Sequence, residues 1–353
     1  MCKTNLHFKK ELKGLTINVD VTVPNQGVTV LFGASGSGKT SILNCIAGIY
    51  DSHGVISIQG EFWQNTAEKI FLKTHKRSMG YVFQDSMLFA TMTVEQNLTY
   101  ACENKSGASL IQLQDLVAQF NISDLMSKKS INLSGGEKQK VAIIRAMLGT
   151  PKVLLLDEPL ASLDNKSKKE ILNILFELKT KIKIPFIYVT HSVDEVLRLA
   201  DNIGFMEHGI LSKVIPIEKA MDRLCSFDLG EKAIAVRGFV KSYDQEFYLA
   251  TVEVEGVDFL IPGTMETNSF INFKIMANNI SLTKVKDTNS SILNIFKVEI
   301  INHEIIREQV YIDLIIVETQ IKLIAKITKK SFSNLNLAKG QQVFAQVKAI
   351  NLV

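Results

Sequence analysis

Three stretches of this sequence combine residue types and spacings suited to phosphate chemistry. The first is GASGSGKT, Gly33 to Thr40, which fits G-x-x-x-x-G-K-[ST]. In that pattern small residues let backbone N–H groups surround phosphate oxygens at a helix N-terminus, a lysine reaches the β- and γ-phosphates, and a hydroxyl ligates Mg²⁺. The candidate ATP-binding residues are therefore Gly33, Ala34, Ser35, Gly36, Ser37, Gly38, Lys39, Thr40 and Ser41, with Lys39 also catalytic and Thr40 on the metal. The second stretch, VLLLDEP, ends an aliphatic run in two carboxylates. Asp157 is expected to hold Mg²⁺, and Glu158 to polarise the attacking water as general base.

LSGGEKQK, Leu133 to Lys140, is the third stretch, and it poses a problem: one chain carries two phosphate grips. Ser134 and Glu137 fit a capping box, so a well-capped helix is the plain reading. Gly135 and Gly136 count against it, because glycines in a first helical turn cost stability relative to alanine. They suggest close backbone approach to something that the chain does not itself hold. Two further residues, Gln84 and His191, follow strand-like runs and could reach the metal, the water or the γ-phosphate. Taken alone, each reads as an ordinary polar loop residue.

Parallel strands and helices must position these groups. Val28–Phe32, Val153–Leu156 and Phe186–Val189 are short continuous apolar runs, as expected for strands covered on both faces. They deliver the phosphate loop, Asp157–Glu158 and His191 to one carboxyl edge, where open α/β sheets bind ligands. A helix is expected over Ser41–Ile49. After about residue 228 period-2 alternation takes over, as in Ala250–Glu255 and Gln309–Leu314. FKIMANNISL, from Phe273, echoes VFAQVKAINL, from Val343, and suggests two small β units of an internal repeat. The expected domains are 1–228, 229–285 and 286–353.

With 353 residues, 46% hydrophobic and 22% charged, the composition is that of a globular protein with room for two or three domains. A net charge of +4 gives no argument for a nucleic-acid partner. Cys2, Cys45, Cys102 and Cys225 form no close pair, so a reducing compartment is expected. The N-terminal segment has no apolar export signal, and no run of eighteen apolar residues spans a membrane.

Taken in order, GASGSGKT, Gln84, LSGGEKQK, LLLDEP, Ala161-Ser162-Leu163-Asp164 and His191 resemble the ATPase subunits of ATP-binding cassette (ABC) transporters. The resemblance implies an α/β P-loop NTPase (ABC ATPase) domain followed by an all-β, OB-like small-barrel domain with two repeats. In that family two ATPase domains pair head to tail, and each signature motif completes its partner's nucleotide site. It implies that Ser134 and Gly136 meet the γ-phosphate across the interface, and that Asp164 links the two sites along it. Gln84 joins Thr40 and Asp157 at the metal, and His191 holds the water and Glu158 in line. Phe8 is the best-spaced candidate for the aromatic that stacks on adenine. The family usually ends its signature in arginine, where this chain has Lys140.

GYVFQDSMLF, LSGGEKQKVAIIRAML and LLLDEPLASLD resemble the molybdate-importing branch, and the last segment resembles its small molybdate-binding (Mop/TOBE-like) barrel. That resemblance implies ATP hydrolysis driving import of molybdate or tungstate. The partners would be a second copy of the chain, transmembrane permease subunits and a periplasmic or lipid-anchored substrate-binding protein. The chain would sit peripherally on the cytoplasmic face of the inner membrane. Ser291 and Asn294 are the candidates for an oxyanion on the tail, although Leu293 stands where the family often has a basic residue. Import of sulfate, sugar, polyamine or ferric ion is the alternative. A DNA- or ribosome-acting ATPase fits less well, since only 50 positions separate Gln84 from Ser134 (134 − 84) and one cassette is present. A pure oxyanion sensor would not need an intact hydrolytic set.

Overall fold

Aliphatic runs without polar interruption become the central strands. In the computed structural model every residue of Val153–Asp157 and Pro185–Thr190 is buried. They lie side by side in parallel, with Gly27–Phe32 beyond Pro185–Thr190 and Met79–Val82 beyond Val153–Asp157. The structure describes residues 3–103, 110–226, 232–287, 289–348 and 350–352. The expected boundary at 228/229, together with Cys2 and the side chains of Cys102 and Cys225, lies outside that description.

The chain divides into two compact units, 1–217 and 218–353. In the first, the parallel strands continue through Asn202–Glu207 and the short Ile210–Leu211 into an antiparallel wing led by Leu15–Val23, Thr4–Leu12 and His53–Ile58. All belong to one twelve-stranded sheet. The helices Lys39–Ala47, Gly135–Met147 and Asn165–Lys181 follow the three motifs.

One buried charge secures the phosphate-loop helix from behind. Arg77 is 4% exposed, and its guanidinium donates to the carbonyls of Cys45, Ile46 and Leu72. It thereby satisfies two of the last carbonyls of Lys39–Ala47, at the end away from the glycine loop. Burial lowers its pKa to about 10. Arg77→Ala should reduce the unfolding free energy by about 3 kcal/mol, since several carbonyls lose a charged donor. Urea unfolding followed by the fluorescence of Trp63, the single tryptophan, reads this directly. A loss below about 1 kcal/mol would contradict the assignment.

The second unit holds two five-stranded antiparallel sheets around one core. The echo between Phe273–Leu282 and Val343–Leu352 has a structural meaning here. Phe270–Met276 belongs to one sheet, and after a single turn Ile280–Thr283 joins the other, beside Gln342–Val347. The second copy does the reverse: Gln342–Val347 lies in the latter sheet, and Asn351–Leu352 crosses to pair with Phe270–Met276. Each repeat ends in its neighbour's sheet, so the apolar residues Phe273, Ile275, Ile280, Leu282, Val343 and Val347 share a core.

Candidate functional site

The phosphate loop leaves strand Gly27–Phe32 and enters helix Lys39–Ala47 through Gly38, whose φ is 105°. That left-handed backbone suits glycine alone among common residues, and a Cβ there would also lie 2.4 Å from Ile17 Cδ1. No side chain caps the helix, so its first N–H groups remain available to an anion. The buried Ser37 hydroxyl has no hydrogen-bond partner among the described residues. Lys39 is 4% exposed and donates to the loop carbonyls of Gly33 and Ala34 at 2.9 and 2.8 Å. Burial lowers its pKa, and Glu158 opposes that shift. Backbone donors at an uncapped helix start, beside a buried ammonium, fit a polyphosphate.

The Thr40 hydroxyl donates to Asp157 Oδ1 at 2.9 Å. A hydroxyl and a carboxylate at that distance are a hard oxygen pair of the kind Mg²⁺ takes. Burial raises the pKa of Asp157 while the Thr40 hydrogen bond lowers it. Next along the chain, Glu158 has φ 42°, a left-handed conformation uncommon outside glycine. Its N–H still reaches Val189 O at 3.0 Å, so the sheet holds the strained residue in place. One carboxylate oxygen of Glu158 lies 3.1 Å from His191 Nδ1 and the other 3.6 Å from Lys39 Nζ. The strand ends thus bring the glycine loop, the Thr40–Asp157 pair, Glu158 and His191 to one edge. Gln84 is exposed two residues beyond Val82, the partner of Leu156 in the neighbouring strand.

Ser134 and Glu137 form the full capping box, with Ser134 N–H to Glu137 Oε2 at 2.7 Å and Glu137 N–H to Ser134 Oγ at 3.3 Å. Ser134 and Gly135 are exposed. Gly136 has a reason for its bareness within the chain: a Cβ would lie 2.8 Å from Ser167 Oγ. At Gly135 a Cβ would meet only Leu163, at an ordinary 3.4 Å, so nothing among the described residues demands that glycine. Asp164 is exposed, and it caps helix Asn165–Lys181 through the N–H groups of Lys166 and Ser167. Hydrogen bonds from Ser167 hold its pKa below the ordinary value. Lys140, in place of the family's arginine, pairs with Glu170 at 2.6 Å.

Two expectations need correction. Phe8 is 2% exposed and packs in the core of the antiparallel wing, so its ring has no open face for a base. Asn294 is buried, and its side-chain amide pairs with both N–H and C=O of Leu260. Its oxygen and one amide hydrogen are engaged in joining the two sheets, which leaves little for an oxyanion. Ser291 and Leu293 are exposed beside it.

Sequence reasoning missed Gln139 and Arg145 on the signature helix. Ser86 donates to Gln139 Oε1 at 2.6 Å, and Arg145 donates to the carbonyls of Ser86 and Met87. These bonds tie the segment after Gln84 to the helix opened by Ser134. A glutamine and an arginine inside an otherwise aliphatic stripe were the available signal.

A strand-fed phosphate loop, a carboxylate pair at the end of a strand in the same parallel sheet and a separately capped SGGE helix together define the ATP-binding cassette of an ABC transporter. The family model for ABC transporters matches residues 16–161, and that for the TOBE domain matches 290–352. A nucleotide-free ATP-binding cassette from an ABC transporter shares the fold, with a TM-score of 0.53 and 23% identity over 65% of this chain and 98% of that one. Among curated relatives, the molybdenum import ATP-binding protein ModC of Methylococcus capsulatus is 39% identical over 98% of both chains. Those of Aromatoleum aromaticum and Pseudomonas aeruginosa are 38% and 36% identical, over 96% and 98% of this chain and 91% and 98% of theirs. The chain belongs to the family of molybdenum import ATP-binding proteins.

Proposed function

We propose that this chain is the ATP-hydrolysing subunit that energises an ABC importer of molybdate, or of tungstate, its close chemical counterpart. The carrying observation is that likeness to the molybdenum importers runs over 98% of the chain, through the β unit as well as the cassette. When bound, Mg²⁺ would offset charge on the β- and γ-phosphates, and the Thr40–Asp157 pair supports its placement there. Lys39 turns from the loop carbonyls to the phosphates. Glu158, held by its strand and flanked by His191, takes the proton of the attacking water. Ser134, Gly135 and Gly136 belong to the site of a second copy, with Asp164 at the same interface.

No helix among the described residues is long and apolar enough to cross a membrane. Permease subunits and a substrate-binding protein would supply the path and the selectivity, with this chain attached peripherally on the cytoplasmic side. Reconstitution with a molybdate permease and its substrate-binding protein tests the cargo. Molybdate-loaded binding protein should raise ATP hydrolysis at least about fivefold and drive molybdate uptake. Equal stimulation by sulfate, or by a sugar or polyamine system, would overturn the molybdate assignment.

A further inference from the structure

Ser192-Val193-Asp194-Glu195 reads as a second capping box, yet only half of it forms. Ser192 Oγ accepts from Glu195 N–H at 3.4 Å, but the Glu195 carboxylate does not return to Ser192. It turns inward, 6% exposed, and its Oε2 accepts from Tyr188 Oη at 2.8 Å and Thr190 Oγ1 at 2.7 Å. Thr190 Oγ1 in turn accepts the Ser192 N–H at 3.0 Å. The residues on either side of His191 are thus tied to one buried carboxyl group. His191 itself is half exposed, with Nδ1 at 3.1 Å from Glu158.

We infer that Glu195 is a positioning residue for hydrolysis: through Thr190 it fixes the turn that aims His191 at Glu158. A buried carboxyl is costly unless its oxygens are satisfied, and an ordinary helix start needs none, since an exposed capping box serves as well, as Ser134–Glu137 shows. Tyr188 approaches from the strand before the turn and Glu195 from the helix after it, so the hub locks strand to helix across His191. Imidazole placement matters because a small displacement of an aligning group costs rate out of proportion to its distance. The charged and titratable groups around the hub are Tyr188, Lys168, His191 and, facing Tyr188, Glu158. Acceptance of two hydroxyl hydrogens is the role required, and a glutamine oxygen can supply it.

The inference rests on His191 acting in hydrolysis, so the experiment includes His191→Ala. In the reconstituted complex, Glu195→Ala and the milder, shape-conserving Thr190→Val should each lower kcat about tenfold while leaving ATP Kd within twofold. Glu195→Gln should retain at least a third of the wild-type kcat. On the His191→Ala background, Thr190→Val should cause no further loss, because the residue it positions is gone. Thr190→Val leaving kcat within twofold, or lowering it equally with and without His191, overturns the inference. An inert His191→Ala would instead overturn the role given to His191, and the two failures are distinguishable.

Discussion

Glu158→Gln lowers steady-state ATP hydrolysis by about a thousandfold and leaves ATP binding intact, the size expected when a positioned general base is removed. The substitution keeps the side chain's shape and its capacity to hydrogen bond, so the left-handed backbone at φ 42° and the contact with His191 can persist. What it removes is a group able to accept a proton. The proposed binding groups, the glycine loop, the helix start and Lys39, are unaltered. Loss of the negative charge 3.6 Å from Lys39 leaves the ammonium freer to turn toward phosphate. The variant should accumulate as an ATP-bound dimer that size-exclusion chromatography resolves. Phosphate release at more than a tenth of the wild-type rate would remove Glu158 as the base.

A change at Ser134 separates a helix cap from a catalytic contact. Aspartate caps helices about as well as serine, so Ser134→Asp preserves what this residue does within its own chain. If Ser134 only closes the helix Gly135–Met147, activity is unchanged and stability moves by less than about 1 kcal/mol. If its exposed hydroxyl meets a γ-phosphate held by another copy, a carboxylate there repels the phosphate and turnover falls about a hundredfold. The outward position of Ser134 and Gly135 favours the second outcome. Parallel thermal unfolding of the variant shows that the fold is spared.

The elements that carry the site were readable because their signals are local. Expected strands at Val28–Phe32 and Val153–Leu156 differ from the observed Gly27–Phe32 and Val153–Asp157 by one residue. The expected helix Ser41–Ile49 is Lys39–Ala47, since Gly38 lets helical geometry begin directly after the loop. Ser134–Glu137 formed the capping box that its spacing specifies. The misreadings concern side-chain direction. Phe8 alternates inward with Leu6, a period-2 consequence that a spacing argument from the phosphate loop does not contain. Glu195 occupies a capping-box position but finds better donors in Tyr188 and Thr190, whose proximity depends on the turn at His191. The exchange of end strands between the two β sheets is a long-range pairing, and alternation within each strand is the same whichever sheet it joins.

The central claim is that each ATP site needs two chains, one supplying Lys39 and the other Ser134. It is tested most directly by mixing two inactive variants, Lys39→Ala and Ser134→Arg, and measuring ATP hydrolysis. In a head-to-tail mixed dimer, both lesions fall in one site and the other site is intact. Equal mixing gives half of the dimers in this form, so activity should recover to about a quarter of the wild-type value from near zero in either variant alone, provided that the sites turn over independently. Recovery that rises and falls with the mixing ratio supports sites completed between chains. A mixture as inactive as its components, in samples shown by cross-linking to contain mixed dimers, or either single variant with normal turnover, would contradict it.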